Sequence, residues 1–427
     1  MIEFKTKENI MENKKSSVPK LRFPGFTGAW EQRKLGDISK TKRGLTYKPS
    51  NIDNTGIRVL RSSNIKEDTF VISDNDVFVK ESAVNIPFVK NGDILITAAN
   101  GSTNLVGKHA IIRDIPKNSA VHGGFMLITT SKEYEFLNAS MSSNWYKKFI
   151  KKYVAGGNGA IGNLRKNDLD NQKIYVPKKD EQEKIGNFFK MLDSLIALHQ
   201  RKLEHLKEQK KGLLQKMFPK NGEVVPEVRF PGFTDDWEQQ KLGEVATRVT
   251  RKNKNLESTL PLTISAQLGL VDQISYFDKR IASSNLTNYI LLNRGEFAYN
   301  KSYSNGYPFG TVKRLNRYDK GVIPSLYIAF MPNTIFINSD FMEMYFETSL
   351  WHKEVSARAS EGARNHGLLN ISPSDFMDIY MKIPEKIEEQ KKIAKFLEDF
   401  DSLIALHQRK LEHLELMKKG LLQQMFV

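Results

Sequence analysis

The residue types that carry catalytic chemistry are few in this sequence and lack the spacings that enzymes require. The chain of 427 residues contains no cysteine, which excludes thiol nucleophiles, disulfides and Cys-ligated zinc. Its 8 histidines show no metal-ligand spacing. The segment GSTNLVGK (Gly101–Lys108) has the glycines and lysine of a phosphate-binding loop, but one residue too many separates the glycines and His109 follows the lysine. We therefore predict no catalytic and no metal-binding residues.

Side chains suited to recognition are abundant instead. The formal net charge is +16, from 65 Lys and Arg against 49 Asp and Glu. Such a charge favours a polyanionic partner, most often nucleic acid, because Lys and Arg release counterions when they neutralise phosphates. The lysines of Lys147–Lys152 alternate with aromatic residues and are suited to phosphate contacts. A basic surface exposed only to solvent is the alternative explanation for both features.

Two glycine-containing segments are candidates for reading base edges. They are AGGNGAIGNLR (Ala155–Arg165) and SEGARNHG (Ser360–Gly367), in which glycine permits close backbone approach and Arg, Asn and His offer hydrogen bonds in a major groove. Surface loops without any ligand are the alternative. The predicted DNA-contacting residues are Arg43, Arg61, Asn100, Lys148, Asn158, Arg165 and Lys166 in the first half of the chain, and Arg251, Lys301, Tyr303, Asn305, Arg364, Asn365 and His366 in the second.

These candidates lie in segments that differ between two copies of a duplicated frame. DSLIALHQRKLEHL at Asp193–Leu206 is repeated without change at Asp401–Leu414. LRFPGFTGAWEQRKLGDI at Leu21–Ile38 returns as VRFPGFTDDWEQQKLGEV at Val228–Val245. Between the repeated parts lie unlike segments of about 150 residues, each long enough for its own core and each typical of mixed α and β structure.

The repeated C-terminal parts predict two long helices. Apolar residues recur at alternating steps of four and three, which is the heptad pattern of a coiled coil, and no proline interrupts either run. We expect the two helices to pack against each other in antiparallel orientation. The predicted seam consists of Ile185, Phe189, Leu192, Ile196, His199, Leu203 and Leu206 in the first helix and Ile393, Leu397, Phe400, Ile404, His407, Leu411 and Leu414 in the second. We interpret the two histidines as a polar layer that fixes register, rather than as catalytic or metal-binding residues.

The predicted fold class is α+β: two mixed α/β domains separated by two long helices that form an antiparallel coiled coil, with a pseudo two-fold internal repeat. The predicted segments are a flexible tail at residues 1–20, domains at 21–178 and 220–384, and helices at 179–219 and 385–427. The start of the chain is polar and lacks the apolar core of a signal peptide, and no apolar run approaches the roughly 20 residues that span a bilayer. We therefore expect a cytoplasmic protein without membrane contact, in agreement with the absence of cysteine.

The ordered, duplicated motifs resemble the specificity subunit of type I restriction-modification enzymes. The resemblance rests on the twin helices with EQEKI and LDSLI or EQKKI and FDSLI, on the RFPGF leaders, on the NGDILIT and RGEFAYN segments, and on the proline-terminated strands before each helix. It extends from Leu21 to Val427.

The resemblance implies a non-catalytic subunit in which each domain reads one half of a bipartite, asymmetric site in double-stranded DNA. The helices would set the spacing of the half-sites and dock two methyltransferase subunits. Two restriction and translocase subunits would complete the complex. The chain itself would bind no cofactor, since S-adenosylmethionine belongs to the methyltransferase subunits and ATP with Mg²⁺ to the restriction subunits.

Two other functions remain open from the sequence. A stand-alone DNA methyltransferase or nuclease is one, and NIPF (Asn85–Phe88) approaches the Asn-Pro-Pro-Phe/Tyr motif of amino-methyltransferases, although Ile86 replaces the first proline and no Gly-rich cofactor loop accompanies it. Binding of S-adenosylmethionine by the isolated chain would distinguish this case. The other is a structural coiled-coil adaptor with incidental basic charge, which a gel shift with random competitor DNA would identify.

Overall fold

The structure is a computed structural model that describes residues 17–153, 162–220, 222–302, 306–359 and 369–427. It divides into two compact units. Unit 1 comprises the residues up to Gln200 together with Arg409–Val427, and unit 2 comprises Arg201–Gln408. Most of the predicted N-terminal tail, residues 1–16, lies outside the described residues.

Two helices of 38 residues each, Lys179–Lys216 and Ile387–Gln424, are the longest elements. We call them the first and second long helix. Neither contains proline, and Pro219 follows the first. The first long helix contributes its N-terminal part to unit 1 and its C-terminal part to unit 2, and the second does the reverse. None of the helices among the described residues is long and apolar enough to cross a membrane.

Unit 1 is built mainly from short strands. These are β1 (Glu31–Lys34), β2 (Lys40–Arg43), β3 (Ile52–Asp53), β4 (Ile57–Leu60), β5 (Ile65–Lys66), β6 (Thr69–Phe70), β7 (Val77–Val79), β8 (Ile94–Thr97), β9 (Ala99–Asn100), β10 (His109–Ile111), β11 (Ala120–His122), β12 (Met126–Thr130), β13 (Gly162–Asn163) and β14 (Lys173–Val176). Its shorter helices are Leu35–Ile38, Tyr134–Met141, Asn144–Tyr153 and Lys166–Asp170, and single 3-10 turns occur at Pro49–Asn51, Ser62–Asn64, Glu81–Ala83 and Thr103–Leu105.

Two four-stranded sheets dominate unit 1. One is antiparallel in the order β10-β8-β12-β2, and the other has the order β11-β4-β7-β3 with β11 and β4 parallel. The pairs β1-β14, β13-β9 and β5-β6 complete the unit. All four residues of β8 are buried, because both faces of the strand are covered by apolar side chains.

Unit 2 contains the strands β15 (Glu238–Lys241), β16 (Ala246–Val249), β17 (Leu262–Ser265), β18 (Gly269–Asp272), β19 (Ile290–Asn293), β20 (Phe297–Asn300), β21 (Thr311–Arg314), β22 (Lys320–Ile323), β23 (Ile328–Pro332) and β24 (Tyr380–Ile383). Its shorter helices are Leu242–Val245, Gln273–Phe277, Ser339–Glu347, Leu350–Arg358 and Pro373–Met377. An antiparallel sheet in the order β16-β23-β20-β21 is flanked by the pairs β15-β24, β17-β18 and β19-β22.

The two units repeat one sheet arrangement. The order β10-β8-β12-β2 in unit 1 corresponds strand by strand to β21-β20-β23-β16 in unit 2. The central strands are the segments NGDILIT and RGEFAYN, whose kinship the sequence indicates. The predicted fold class, mixed α and β structure in two repeats with long helices, is confirmed.

The duplicated leader clamps the ends of the long helices in the same way in both units. In unit 1, Arg22 makes a bidentate ion pair with Glu181 at 2.6 and 2.7 Å, and the nitrogen of Leu21 donates to the carbonyl of Gln424. In unit 2, Arg229 pairs with Glu389 at 2.7 and 2.8 Å, and Val228 donates to Lys216. Bidentate pairs of this kind fix both distance and orientation.

Aromatic packing completes each clamp. Trp30 meets Phe426 edge-on in unit 1 with ring centroids 6.0 Å apart, and Trp237 meets Phe218 in unit 2 at 5.8 Å. All four rings are buried. The first leader therefore closes over the C-terminal end of the second long helix, and the second leader closes over the C-terminal end of the first. The sequence repeat is also a repeat of contacts.

Within each unit the two helix segments run antiparallel. In unit 1, Lys418 Nζ lies 2.7 Å from Asp193 Oδ1 and Phe426 packs on Phe189. A later residue of the second long helix thus meets an earlier residue of the first, which is the antiparallel arrangement. In unit 2, Lys210 Nζ lies 2.7 Å from Asp401 Oδ1. Of the predicted seam side chains, Ile185, Phe189, Leu192, Leu203, Ile393, Leu397 and Leu411 are buried, and Ile196, His199, Leu206, Phe400, Ile404, His407 and Leu414 are half-buried.

Candidate nucleic-acid interface

A tight turn at Gly123–Met126 organises one edge of unit 1. The nitrogen of Met126 donates to the carbonyl of Gly123 at 2.8 Å, and the nitrogen of Gly123 donates to Leu60 at 2.9 Å. The end of β2 passes so close that a Cβ atom on Gly44 would lie 1.9 Å from the carbonyl oxygen of Gly123. Only glycine fits such an approach. The turn brings the ends of β2, β4 and β12 together.

Two predicted DNA-contacting residues lie at these strand ends. Arg43 is the last residue of β2, directly before Gly44, and Arg61 follows the last residue of β4. Both side chains are exposed. Since the chain brings both guanidinium-bearing residues to the Gly123 turn, this edge of unit 1 presents positive charge to solvent.

Asn100 joins the same edge through β9. Its Nδ2 donates to Ser62 Oγ at 3.1 Å, and Ser62 is the neighbour of Arg61. The nitrogens of Ala98 and Ala99 donate to the carbonyl of Phe125 at 2.9 and 3.0 Å. Asn100 is half-buried, and its Oδ1 accepts from the nitrogen of Ser102 at 2.9 Å, so one N–H and one lone pair of the amide remain for a ligand.

Arg165 reaches this edge by backbone pairing. β13 pairs with β9, with Gly162 opposite Asn100, and the nitrogen of Leu164 donates to Ala98 at 2.7 Å. Arg165 follows and is exposed. Lys166 is held differently, because its Nζ pairs with Asp170 at 2.6 Å.

We define the edge of unit 1 formed by Arg43, Arg61, Asn100, the turn Gly123–Phe125 and Arg165 as the unit 1 edge. Asn158 lies in the same stretch of chain but outside the described residues.

The predicted lysine cluster lies on the helix Asn144–Tyr153. Tyr146 and Phe149 bury one face of Asn144–Tyr153, and Lys147, Lys148, Lys151 and Lys152 are exposed. The hydroxyl of Tyr146 donates to the carbonyl of Gly107 at 2.9 Å, which anchors the helix beside β8 and β10. The exposed ammonium groups can contact phosphates without rearrangement of this core.

The buried histidines of unit 1 add no positive charge. Burial lowers the pKa of His122 to about 4, and its Nε2 lies 3.3 Å from the carbonyl of Lys42. Burial also lowers the pKa of His109, which packs edge-on against Tyr146. Both rings are therefore neutral near pH 7, and the charge of the unit 1 edge comes from arginine and lysine.

Unit 2 places Lys301 at the equivalent edge. Lys301 follows β20, its Nζ donates to the carbonyl of Ile371 at 3.2 Å, and its own carbonyl accepts from the nitrogen of Leu369 at 3.0 Å. The predicted contacts Tyr303, Asn305, Arg364, Asn365 and His366 lie outside the described residues. Leu369 and Ile371, which hydrogen-bond to Lys301, follow them in the chain.

Arg251 has a partner within the chain. Its Nη2 makes a bidentate contact with Glu296 at 2.8 and 2.9 Å and donates to the carbonyl of Leu291 at 3.2 Å. Glu296 is buried, so this arginine neutralises an interior carboxylate. The assignment of Arg251 as a DNA contact stays a prediction.

Sequence reasoning overlooked one exposed apolar residue at the edge of each unit. Phe125 is 73% exposed and Leu326 is 47% exposed. Phe125 stands in the apolar run FMLIT, where alternation places it on the same face as buried Leu127. The double glycine before it was the available signal, because it marks a turn rather than a strand interior.

Within the described ranges no three His, Asp or Glu side chains gather as metal ligands. The arrangement that the structure does present is a set of exposed Arg and Lys side chains with the half-buried Asn100, held by strands and one helix, and this is suited to contacts with phosphates and base edges.

Comparison with known proteins also indicates a protein that recognises DNA. Residues 28–208 and 358–416 match the family model described as type I restriction modification DNA specificity domain. A protein of Methanocaldococcus jannaschii, provisionally named the type I restriction enzyme MjaX specificity subunit, is 25% identical over 252 residues, which cover 57% of this chain and 57% of that protein. The MjaVIII specificity subunit of the same organism is 24% identical over 253 residues, covering 57% of this chain and 54% of the relative. The match thus spans little more than half the length of these relatives.

A solved structure shares the fold. The crystal structure of the type I restriction-modification system S subunit from M. genitalium aligns with 96% of this chain and 99% of its own, with a TM-score of 0.59 and 16% sequence identity.

Proposed function

The chain belongs to the type I restriction modification DNA specificity family, and we propose on this basis that it is the DNA-recognition subunit of a type I restriction-modification complex. Each unit reads one half of a bipartite, asymmetric site in double-stranded DNA. The observation that carries the proposal is a repeated frame with unlike edges: sheet order, leader clamps and helix pairing recur, whereas the residues at the ends of the strands differ.

Unit 1 reads its half-site with the unit 1 edge. Arg43 and Arg61 are exposed and flank the turn, and arginine can bind guanine O6 and N7 with two hydrogen bonds. Asn100 offers the paired donor and acceptor that suit adenine. The exposed lysines of Asn144–Tyr153 supply phosphate contacts, which give affinity and salt dependence but no sequence preference.

Unit 2 reads a different half-site because its edge differs. A lysine, Lys301, stands where unit 1 has Ala98, and the helix Leu350–Arg358 carries no counterpart of the lysine cluster. Its Arg358 pairs with Glu354 at 2.6 Å. Unit 2 therefore depends more on Lys301 and on the predicted contacts Arg364, Asn365 and His366, and less on phosphate contacts from a basic helix.

The chain binds no cofactor and catalyses no reaction in this proposal. Two methyltransferase subunits supply S-adenosylmethionine and take the target base out of the stack, and two restriction subunits supply ATP-dependent and Mg²⁺-dependent chemistry. The complex works in the cytoplasm on chromosomal or invading DNA.

The long helices offer docking positions for the two methyltransferase subunits. Leu195 and Leu198 are each 39% exposed on the first long helix, and the residues at the repeated positions, Leu403 and Leu406, are 44% and 38% exposed on the second. Exposed leucines at repeated positions are typical of a surface that a partner covers. One methyltransferase on each repeat would explain why these leucines are duplicated.

A substitution tests the docking surface. Leu195→Asp combined with Leu403→Asp should abolish co-purification with the methyltransferase, because two charges would be buried against it. Leu416→Glu is the matched control: Leu416 is 68% exposed, and the first long helix has Glu208 at the repeated position. Loss of binding in the control, or its retention in the double variant, would contradict docking at these leucines.

Methylation mapping tests the function itself. The chain is expressed with its methyltransferase in a host without other modification systems, and modified sites are sequenced. A bipartite asymmetric motif is expected.

Arg165→Ala should weaken DNA binding by about 1–3 kcal/mol and relax one half-site only, and Arg364→Ala should do the same to the other. Unchanged motifs would reject these roles, and S-adenosylmethionine binding by the isolated chain would favour a self-contained enzyme.

A further inference from the structure

The turn that leads into β12 holds an apolar side chain out in solvent. Phe125 is 73% exposed, although the residues on both sides of the turn, His122 and Met126, are each 2% exposed. Burial of a phenylalanine side chain stabilises a fold, because its apolar surface leaves water. A position that forgoes this stabilisation in both repeats needs an explanation outside the fold.

The backbone at Phe125 is rigid. Its carbonyl accepts hydrogen bonds from the nitrogens of Ala98 and Ala99, and the nitrogen of the next residue, Met126, closes the turn onto Gly123. Leu45 donates to His122 at 2.7 Å on the other side. The ring is therefore presented from a fixed platform rather than from a loose loop, which reduces the entropy lost when it contacts a partner.

Polar and basic residues lie close to the turn that carries the ring. Ala98 and Ala99, which hold the Phe125 carbonyl, run directly into Asn100, and Arg61 Cγ lies 3.7 Å from the position of a Cβ on Gly123. The ring is thus the apolar centre of the unit 1 edge.

Unit 2 repeats the feature. Tyr327 donates to Pro324 at 3.0 Å and closes a turn before β23, as Met126 does before β12. β23 pairs with β20 with Tyr299 opposite Ile328, and continuing this register by two residues places Leu326 opposite Lys301. Leu326 occupies the position of Phe125 and is 47% exposed. An exposed apolar residue therefore stands beside the predicted reading residues of both units.

We infer that the side chain of Phe125 contacts the C5-methyl group of a thymine in the half-site that unit 1 reads, and that Leu326 makes the corresponding contact in unit 2. The inference rests on the proposed function. In the major groove the thymine methyl is the one apolar feature of a base edge, and phenylalanine is among the side chains that recognise it. Arginine and asparagine on either side would read the neighbouring base pairs.

A wedge between base pairs is the other use of an exposed apolar residue on DNA, and it belongs to proteins that bend DNA from the minor groove. The surroundings of Phe125 favour the methyl contact, because Arg61 and Asn100, on the same unit 1 edge, carry the donors and acceptors of major-groove readout.

The test uses the complex of the chain with its methyltransferase subunits. The half-site of unit 1 is assigned by exchanging residues 39–178 for those of a relative. Affinity is then measured for duplexes in which each thymine of that half-site is replaced in turn by deoxyuridine, which lacks only the methyl group. One replacement should weaken binding by wild type about four- to tenfold, as expected for loss of one buried methyl contact. Phe125→Ala should weaken binding to unmodified DNA by a similar factor and abolish the sensitivity to deoxyuridine.

Three variants serve as comparisons. Phe125→Leu should retain binding within about twofold and keep the sensitivity, because leucine occupies this position in unit 2. Leu326→Ala should abolish the sensitivity to deoxyuridine in the half-site that unit 2 reads, and in that half-site alone. Ile52→Ala changes an exposed apolar residue on β3, at the opposite edge of the sheet that leads into the turn, and should change nothing.

The inference is overturned if no deoxyuridine affects the wild type, if Phe125→Ala remains as sensitive as the wild type, or if the half-site lacks an A·T pair. Enhanced fluorescence of 2-aminopurine placed at one base step, lost in Phe125→Ala, would show a wedge and also overturn it. Absence of any sequence-specific binding would overturn the proposed function as well, whereas specific binding that ignores all these changes would overturn this inference alone.

Discussion

His122 lies beneath the unit 1 edge as a buried neutral ring. It is 2% exposed, and burial lowers its pKa to about 4. An unfolded histidine has a pKa of about 6.5, so between these values the unfolded chain binds a proton that the native chain does not. Stability therefore falls as the pH drops from about 6.5 to about 4.

The variant His122→Gln tests this linkage. At pH 5 the histidine should cost the wild type about 2 kcal/mol of stability relative to pH 7. Glutamine cannot be protonated and can still donate to the Lys42 carbonyl, so the variant should lose less stability over the same range. Urea unfolding at pH 7 and pH 5 measures the difference. An equal pH dependence of both proteins would show that His122 is not the responsible group.

Single residues also mark the limit of sequence reasoning. Residue type predicted Arg61, Asn100 and Arg165, and the fold gathers them at one edge through pairings of β9 that no local pattern shows. Residue type could not distinguish Arg251, whose guanidinium pairs with buried Glu296, from the exposed arginines of the unit 1 edge. That distinction depends on a carboxylate 45 positions away in the chain, which only the sheet brings near.

At the scale of elements, the two long helices were predictable because a heptad pattern is local and uninterrupted. The repeated ion pairs between them follow from the same pattern. Lys210 pairs with Asp401 and also with Glu347, at 2.6 Å, and is 9% exposed in its side chain; Lys418 pairs with Asp193 and is 21% exposed. The copies are therefore equivalent in sequence but not in environment.

Replacing each lysine by methionine should show this difference. Lys210→Met leaves two carboxylates facing an apolar side chain and should lower the free energy of unfolding by about 2 kcal/mol. Lys418→Met removes a more exposed pair and should cost about 0.5–1 kcal/mol. Urea unfolding compares the two variants, and equal losses would contradict an effect of burial. Adding Glu347→Gln to Lys210→Met should recover part of the loss, since one unpaired charge disappears.

The short strands were less predictable than the helices. Segments such as β9 and β13 have two residues each and exist because neighbouring strands supply partners, not because of their own propensity. The recognition edges are built from such strands. Their residues could be nominated from the sequence, but their grouping could not.

At the scale of the whole molecule, the segments that recognise DNA should be exchangeable without change to the leaders and the long helices. Exchange of residues 39–178 for the corresponding segment of a relative leaves both leaders and both long helices intact. It should change one half-site and preserve the other, because the unit 2 edge is untouched. Methylation mapping of the exchanged protein checks this. Changes in both half-sites would show that the units do not read independently.

The length of the long helices should determine the gap between half-sites. Deletion of the identical heptads Gln200–Leu206 and Gln408–Leu414 removes one seam repeat from both helices. At 1.5 Å per residue this is about 10 Å, or about three base pairs of DNA. The half-site sequences should stay the same while the gap shortens. Altered half-sites with an unchanged gap would contradict a spacer role.

Because unit 1 is formed by distant parts of the chain, it cannot fold completely until translation is nearly finished. Phe426 completes the aromatic cluster that includes Trp30, Phe136 and Phe189. At about 5–20 residues per second, the polypeptide of unit 2 delays the arrival of that last ring by roughly 10–40 s. During this interval the nascent chain carries an open apolar surface while the second unit, translated without interruption, can already close. Truncated products that end before residue 409 would keep that surface open and be natural substrates for chaperones and proteases.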